Sequence, residues 1–235
     1  TDYPNDGKIK ISLTPKKPSS FKVHLRIPTW AGNQFVPGKL YKYVNQKKES
    51  WSLTVNGSKT QAKVEKGFAI IERKWKKGDQ IILDLPMPLR INKCDKRVEE
   101  NHNRLAFTRG PFVLCAEEID NGGATQRFFL NQEKVETKYS LAKVKLVSGS
   151  FSQVKTMANA VNKSGGEEDK SLSLIPYYAW NNRKPGSMTI WFPTTPKLAI
   201  FDPHQLPKKS IFSSIKASHT SDLDTVSAVG DGKEP

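Results

Sequence analysis

Phe21-Lys22-Val23-His24-Leu25-Arg26-Ile27 alternates apolar and polar side chains without a fault. In an extended chain successive side chains point to opposite faces, so one face of this segment carries Phe21, Val23, Leu25 and Ile27 and is expected to be buried. A helix would scatter the same four side chains around its circumference. The beat recurs in Ile9, Ile11 and Leu13, and again in Trp51, Leu53 and Val55 up to Asn56-Gly57, a pair that two-residue hairpin turns favour. Residues 67–75 read as a further strand, Lys77-Gly78-Asp79 as a turn, and residues 81–85 as the returning strand. Pro86 and Pro88 end the ladder, because proline has no N–H to donate. Short strands joined by tight turns at this density are the pattern of a β-sandwich.

The second stretch repeats the style. Residues 105–107 and 112–116 flank Gly110-Pro111 as a kinked strand pair, and Asp120-Asn121-Gly122-Gly123 reads as a loop. Residues 143–147 and 151–154 are expected to pair across Ser148-Gly149-Ser150, with Thr156–Asn162 the best candidate for a short helix. Residues 164–170 form a polar excursion, and 172–180 and 188–192 read as strands. Beyond Pro193 the prolines at 196, 203 and 207 space a stiff connector, followed by a strand-like pattern over 211–219. The expected fold is all-β: two consecutive antiparallel, jelly-roll-like β-sandwich domains over 1–92 and 93–200. Residues 201–235 are then a proline-rich connector and the start of a further strand pattern, too short to close a core of its own, which either docks on the second domain or is largely disordered.

Bulk properties exclude several alternatives. At 235 residues the chain can bury a real core without disulfides. It has no apolar run near the roughly 18 residues of a membrane helix. Its first residue is Thr1, and neither a basic nor an apolar leader region follows, so it reads as an excised piece. Lysine and arginine total 38 against 23 acids, a formal charge of +15. That excess is mostly lysine, in pairs such as Lys16-Lys17, Lys47-Lys48 and Lys76-Lys77 or on the polar beat of strands. Lysine there keeps strand edges from pairing with other chains, whereas sequence-reading of nucleic acid leans on arginine. The charge therefore implies a solvated surface and no specific nucleic-acid partner.

Sites of chemistry are sparse. Cys94 and Cys115 stand apart without a second metal-ligating pair, and His24, His102, His204 and His219 are mutually isolated, so no metal site is expected. Cys115 in Phe-Val-Leu-Cys-Ala reads as a buried small hydrophobe, with a Cys94–Cys115 disulfide as the alternative. The adjacent acids Glu99-Glu100, Glu117-Glu118 with Asp120, and Glu167-Glu168-Asp169 read as solvated, because a glycosidase needs two carboxyls facing one sugar. Asn56-Gly57-Ser58 and Asn162-Lys163-Ser164 match the glycosylation sequon, the first being better explained as a hairpin turn. Aromatic residues are the suggestive set. Tyr177, Tyr178 and Trp180 precede Asn181-Asn182-Arg183, and Trp30, Tyr41 and Tyr43 lie in or beside a long loop. Trp30, Tyr41, Tyr177, Tyr178, Trp180, Asn181 and Arg183 are the candidate carbohydrate-binding residues, since rings stack on sugar faces and amides and guanidinium groups donate to hydroxyls. Packing between modules is the competing role for these rings.

Eight segments in order carry a family resemblance. They are Tyr3-Pro4-Asn5-Asp6-Gly7-Lys8-Ile9, Leu25-Arg26-Ile27-Pro28-Thr29-Trp30-Ala31, Val36-Pro37-Gly38-Lys39-Leu40-Tyr41-Lys42-Tyr43 and Val55-Asn56-Gly57. The others are Ile71-Glu72-Arg73-Lys74-Trp75-Lys76-Lys77-Gly78-Asp79, Leu85-Pro86-Met87-Pro88-Leu89, Arg109-Gly110-Pro111-Phe112-Val113-Leu114-Cys115 and Ile175-Pro176-Tyr177-Tyr178-Ala179-Trp180-Asn181-Asn182-Arg183. Over roughly residues 1–195 the chain resembles the C-terminal part of the β-L-arabinofuranosidase family, glycoside hydrolase family 127, formerly a domain of unknown function. The resemblance implies a bacterial, periplasmic or extracellular parent acting on plant-type glycans. Its N-terminal (α/α)6 barrel would hold a zinc ion and a cysteine nucleophile. Cys94 and Cys115 do not match the family's catalytic cysteines, so no catalytic residue carries over and no cofactor is expected in this chain. The implied partners are that barrel, polysaccharide, and a second copy of the chain. Residues 213–235 are similar to the opening of a discoidin-like, carbohydrate-binding jelly roll, which implies that 201–235 holds the truncated start of a further carbohydrate-binding-like module.

Overall fold

The computed structural model describes residues 1–32, 34–44, 50–131, 138–146 and 149–201. The expected connector after residue 201, the strand-like pattern at 211–219, the Lys47-Lys48 pair and Ser148 lie outside the described residues.

The first body is two antiparallel sheets face to face. One orders the strands Lys8–Ser12, Gln80–Asp84, Ser52–Val55 and Ser58–Lys59, and the other Ser19–Arg26, Phe68–Trp75 and Lys63–Glu65. Their inner faces share one core, with Leu25, Ala69, Ile71 and Trp75 from the second sheet against Leu53, Val55, Ile81 and Leu83 from the first. Phe21 begins the alternating strand but stays partly exposed at the rim, its ring 6.1 Å from that of Trp75. Asn56 and Gly57 both take positive φ, 51° and 81°, as a tight hairpin requires. The Asn56 amide then donates to Asp79 at 2.9 Å, and Asp79 accepts the Lys76 N–H at 2.9 Å, so one turn braces another. These two bonds, the Lys76 amide first, hold the Asp79 carboxyl below its ordinary range. The turn at 76–79 does not return the chain to its neighbour as expected. Phe68–Trp75 and Gln80–Asp84 lie in different sheets, so the turn is a corner between layers.

Leu85–Leu89 leads into a ten-stranded antiparallel sheet. Its order is Phe128–Phe129, Gly149–Val161, Glu167–Pro176, Phe112–Glu117, Arg104–Arg109, Leu89–Cys94 and Tyr41–Tyr43, with Ser140–Leu146, Met188–Thr189 and Trp191–Pro193 pairing alongside. The sheet rolls over on itself: the Leu130 N–H donates to the Pro193 carbonyl at 2.8 Å and ties the Phe128–Phe129 end to Trp191–Pro193, the strand paired with Arg104–Arg109. Leu89, Ile91, Leu105, Phe107, Leu114, Phe128, Val154, Leu172, Leu174 and Phe192 fill the inside. At the seam, Arg109 Nη1 donates to the Asn5 carbonyl at 3.1 Å and the Tyr139 hydroxyl to the Met87 carbonyl at 3.3 Å.

Three local expectations are corrected. Thr156–Asn162 is not a helix, since residues 156–161 belong to the strand Gly149–Val161, which pairs with Glu167–Pro176 over eight positions. Thr156, Ala158 and Ala160 are buried while Lys155 and Met157 face out. Small ambivalent residues hid that alternation. The acids 167–169 lie on the returning strand, and Asp120 and Asn121 on one helical turn, Glu118–Asn121, ended by Gly122 in the left-handed conformation at φ 62°.

Candidate functional site: an aromatic groove beside an anchored loop

The rolled sheet has two faces, and sequence parity assigns them. Leu89, Ile91, Leu105 and Phe107 enter the core. Arg90, Asn92, Ala106 and Thr108 therefore point the other way, in the register Arg90–Thr108 and Asn92–Ala106, with Val113 opposite Thr108. Trp191 pairs opposite Ala106, and Tyr43 opposite Asn92, on the same outer face. Phe35, Val36, Tyr41, Tyr177 and Ile190 join Asn92, Ala106, Thr108, Val113 and Trp191 in lining a groove of about 320 Å³. Tyr41 and Trp191 stack as one wall, ring centres 5.9 Å apart and inclined at 30°.

The floor of this apolar groove is polar. Asn92 Nδ2 donates to Thr108 Oγ1 at 2.8 Å, and Thr108 hydrogen-bonds the Tyr43 hydroxyl. Burial pushes that phenol's pKa up, opposed by the Arg90 guanidinium, which sits 5.1 Å from the Tyr43 ring centre. Asn92 is 3% exposed, and among the described residues its Oδ1 has no hydrogen-bond partner.

A loop from Tyr177 to Ser187 runs beside the groove and is held at several points. Arg183 donates to Asp120 Oδ1 at 2.9 Å and Oδ2 at 2.5 Å, and to Glu117 Oε2. Its guanidinium lies 5.6 Å from the Phe151 ring centre. The Asn181 N–H donates to Glu117 Oε1 at 2.7 Å, and the Ser187 N–H to Glu118 Oε2 at 3.0 Å. Glu117 ends its strand, and the helical turn that follows swings Asp120 back to the same side, as residues three apart do. The bonds to Asp120, then to Glu117, push the Arg183 pKa further up. Asn121, buried behind, accepts from the Ser173 N–H and donates to the Ser173 and Glu117 carbonyls, fixing the helical turn to the sheet.

Among the sequence-derived candidates, Tyr41 and Tyr177 line the groove. Tyr178 and Trp180 are exposed on the loop. Trp180 lies parallel to Tyr177, centres 6.1 Å apart and 9° between planes, and Tyr178 leans on Phe112. Asn181 and Arg183 commit the groups named above to carboxylates. Trp30 is 9% exposed and packs in the first core. Sequence reasoning passed over Asn92, Thr108 and Trp191. The available signal was the polar beat Arg90, Asn92 in a strand whose other beat opens with Leu89 and Ile91, but that beat ordinarily faces water. The acids at 117 and 120 were expected to be solvated, and Glu117 is buried around Arg183.

Neither cysteine is arranged as a nucleophile. Both are free thiols. Cys94 Sγ donates to the Asn101 carbonyl at 3.1 Å, and burial raises its pKa. Cys115 packs with Phe151, Ile175 and Ala179, and its thiol is pushed up to about 12, first by burial and then by the Glu117 carboxylate. Among the described residues no group of three or more His, Cys, Asp and Glu is placed to hold a metal, and no helix is long and apolar enough to cross a membrane. At pH 8 a thiol of pKa about 12 is ionised to about one part in ten thousand. Iodoacetamide should therefore leave Cys115 unmodified in the native protein and label it in guanidinium chloride. Peptide mass spectrometry reads the difference, and native labelling of Cys115 within minutes would contradict the packing.

Comparison with known proteins places this architecture. Residues 1–87 match the β-L-arabinofuranosidase, GH127 middle domain, and residues 89–193 match the glycoside hydrolase family 127 C-terminal domain. A non-reducing end β-L-arabinofuranosidase of Bifidobacterium longum subsp. longum is 26% identical over 209 residues, covering 81% of this chain and 29% of that protein. A solved GH127 β-arabinofuranosidase superposes with a TM-score of 0.77 at 35% identity, over 85% of this chain and 32% of its own. A GH127 β-L-arabinofuranosidase from Geobacillus stearothermophilus T6 gives 0.68 at 29% identity, over 82% and 29%. The chain thus spans under a third of the length of these relatives. With both matches running end to end along its two bodies, the chain belongs to glycoside hydrolase family 127, of which it carries the middle and C-terminal domains.

Proposed function

We propose that this chain is the non-catalytic β-sandwich region of a β-L-arabinofuranosidase-like enzyme acting on plant-type glycans, and that it supports a helical catalytic barrel. The carrying observation is the continuous match to the middle and C-terminal domains over residues 1–193, within less than a third of the relatives' length. The chemistry agrees: Cys115 is buried and protonated, and the paired acids Glu117 and Asp120 are saturated by Arg183. In this reading the zinc ion belongs to the barrel; among the described residues Cys94 and Cys115 belong to no group of three or more His, Cys, Asp and Glu that could hold it. The 235-residue chain should release no L-arabinose from an aryl β-L-arabinofuranoside, with or without added zinc. Zinc-dependent release by this chain would overturn the proposal.

A second reading has its own observation. Tyr177 and Trp180 form a parallel, part-exposed pair on the anchored loop, the kind of platform that carries a sugar ring. The chain would then also act as a carbohydrate-binding accessory module.

A further inference from the structure

We propose that the groove between Tyr41, Trp191 and Tyr177 binds a single neutral glycosyl residue, its ring against the aromatic wall and one hydroxyl donating to Asn92 Oδ1. The inference deepens the second reading above and moves the binding position from the outer Tyr177–Trp180 pair to the groove.

Three observations converge. The first is size and composition. A groove of about 320 Å³ sits at the small end of ligand sites and accommodates a monosaccharide unit. None of its ten lining residues is charged, although the chain as a whole carries +15. A site for phosphate or a uronic acid would place a cation at the ligand, so the fitting ligand is uncharged.

The second is the aromatic wall. The faces of Tyr41 and Trp191 carry the negative side of the ring quadrupole and attract polarised C–H groups, which a sugar presents on one face of its ring. The third is Asn92 Oδ1. Its own amide nitrogen is committed to Thr108, and Thr108 bonds onward to Tyr43, so the amide is held in place, and among the described residues no donor reaches the oxygen. A buried acceptor without a donor is unfavourable. An aliphatic side chain filling the groove would seal it in that state, whereas a hydroxyl would satisfy it. That difference favours a sugar over an apolar segment of a neighbouring domain.

The test titrates the intact 235-residue chain with methyl β-L-arabinofuranoside, L-arabinose and D-xylose, with D-galacturonate as the charged control. Binding is read by tryptophan fluorescence and calorimetry. At least one neutral sugar should saturate in the millimolar range, and galacturonate should not. Asn92→Leu keeps the volume and removes the acceptor, and should weaken binding at least about tenfold, with the native fold checked by circular dichroism because the bond to Thr108 is lost as well. Tyr41→Ala, at the sheet edge, serves as the second variant and should weaken it similarly. Trp180→Ala should leave it within about twofold. No saturation by any neutral sugar up to about 100 mM, or equal binding of galacturonate, overturns the proposal. If Trp180→Ala abolishes binding while Asn92→Leu and Tyr41→Ala retain it, the groove assignment fails and the outer-pair reading stands. None of these results bears on the family assignment or on the absence of hydrolysis by this chain.

Discussion

Replacing Arg183 by alanine should destabilise the second body by about 3–5 kcal/mol, the range for removing one partner of a buried ion pair. The side chains concerned are largely shielded from water: Arg183 is 17% exposed, Glu117 4% and Asp120 14%. Without the guanidinium, two carboxylates share a site roofed by the Phe151 ring and backed by the Cys115 thiol. They repel each other, and among the described residues Glu117 keeps the Asn181 N–H as its one remaining donor. The 177–187 stretch also loses its strongest tether, so the Ala179 contact with Cys115, Phe151 and Ile175 loosens. A double-mutant cycle separates charge from packing. In a Glu117→Gln, Asp120→Asn background the alanine substitution should cost at least about 1 kcal/mol less, because no buried charge is stranded. Urea unfolding of the four proteins measures this. A cost below about 1 kcal/mol for Arg183→Ala would mean that water already screens the cluster.

Trp75→Ala should cost the first body a similar amount, about 3–5 kcal/mol. Trp75 is wholly buried at the end of Phe68–Trp75, opposite Ser19. Its indole joins its own strand and Ser19–Arg26 to the core. Nε1–H donates to the Phe21 carbonyl at 3.0 Å, the Phe21 ring packs 6.1 Å away, and the Arg73 guanidinium lies 5.2 Å from its centre. Truncation opens a cavity between the two sheets and strands the Phe21 carbonyl, two separate penalties. Trp75→Phe keeps much of the volume and loses the hydrogen bond, so it should cost less than half as much. Scanning calorimetry on both variants adds a test of location: Trp75→Ala should lower the unfolding of residues 1–87, and Arg183→Ala that of residues 89–193. Should Trp75→Ala prove as mild as Trp75→Phe, the core around it must collapse to fill the space.

The strands were legible because their cause is local. Phe68–Trp75 and Gln80–Asp84 alternate strongly, Asn56-Gly57 and Lys77-Gly78-Asp79 turn where the backbone needs positive φ, and Pro86 and Pro88 stop a ladder. The family resemblance was legible for the same reason, since it rests on contiguous segments. Thr156–Ala160 was misread because alanine and threonine carry little periodic signal, and Glu118–Asn121 because one helical turn is too short to show a period.

What the chain dictates unaided is which residues are extended, where they turn, and which beat of each strand is apolar, because these follow from side chains one or two positions apart. Only the tertiary structure decided that adjacent strands 68–75 and 80–84 part into different sheets, that Tyr41–Tyr43 crosses to the far body, and that the polar beat at Asn92 and Thr108 becomes the buried floor of a groove walled by Tyr41 and Trp191. Glu117, Asp120 and Arg183 meet only because a strand end, a helical turn and a loop more than sixty positions on are folded over one ring. Those outcomes depend on how sheets close and pack, a balance among distant surfaces that no local pattern encodes.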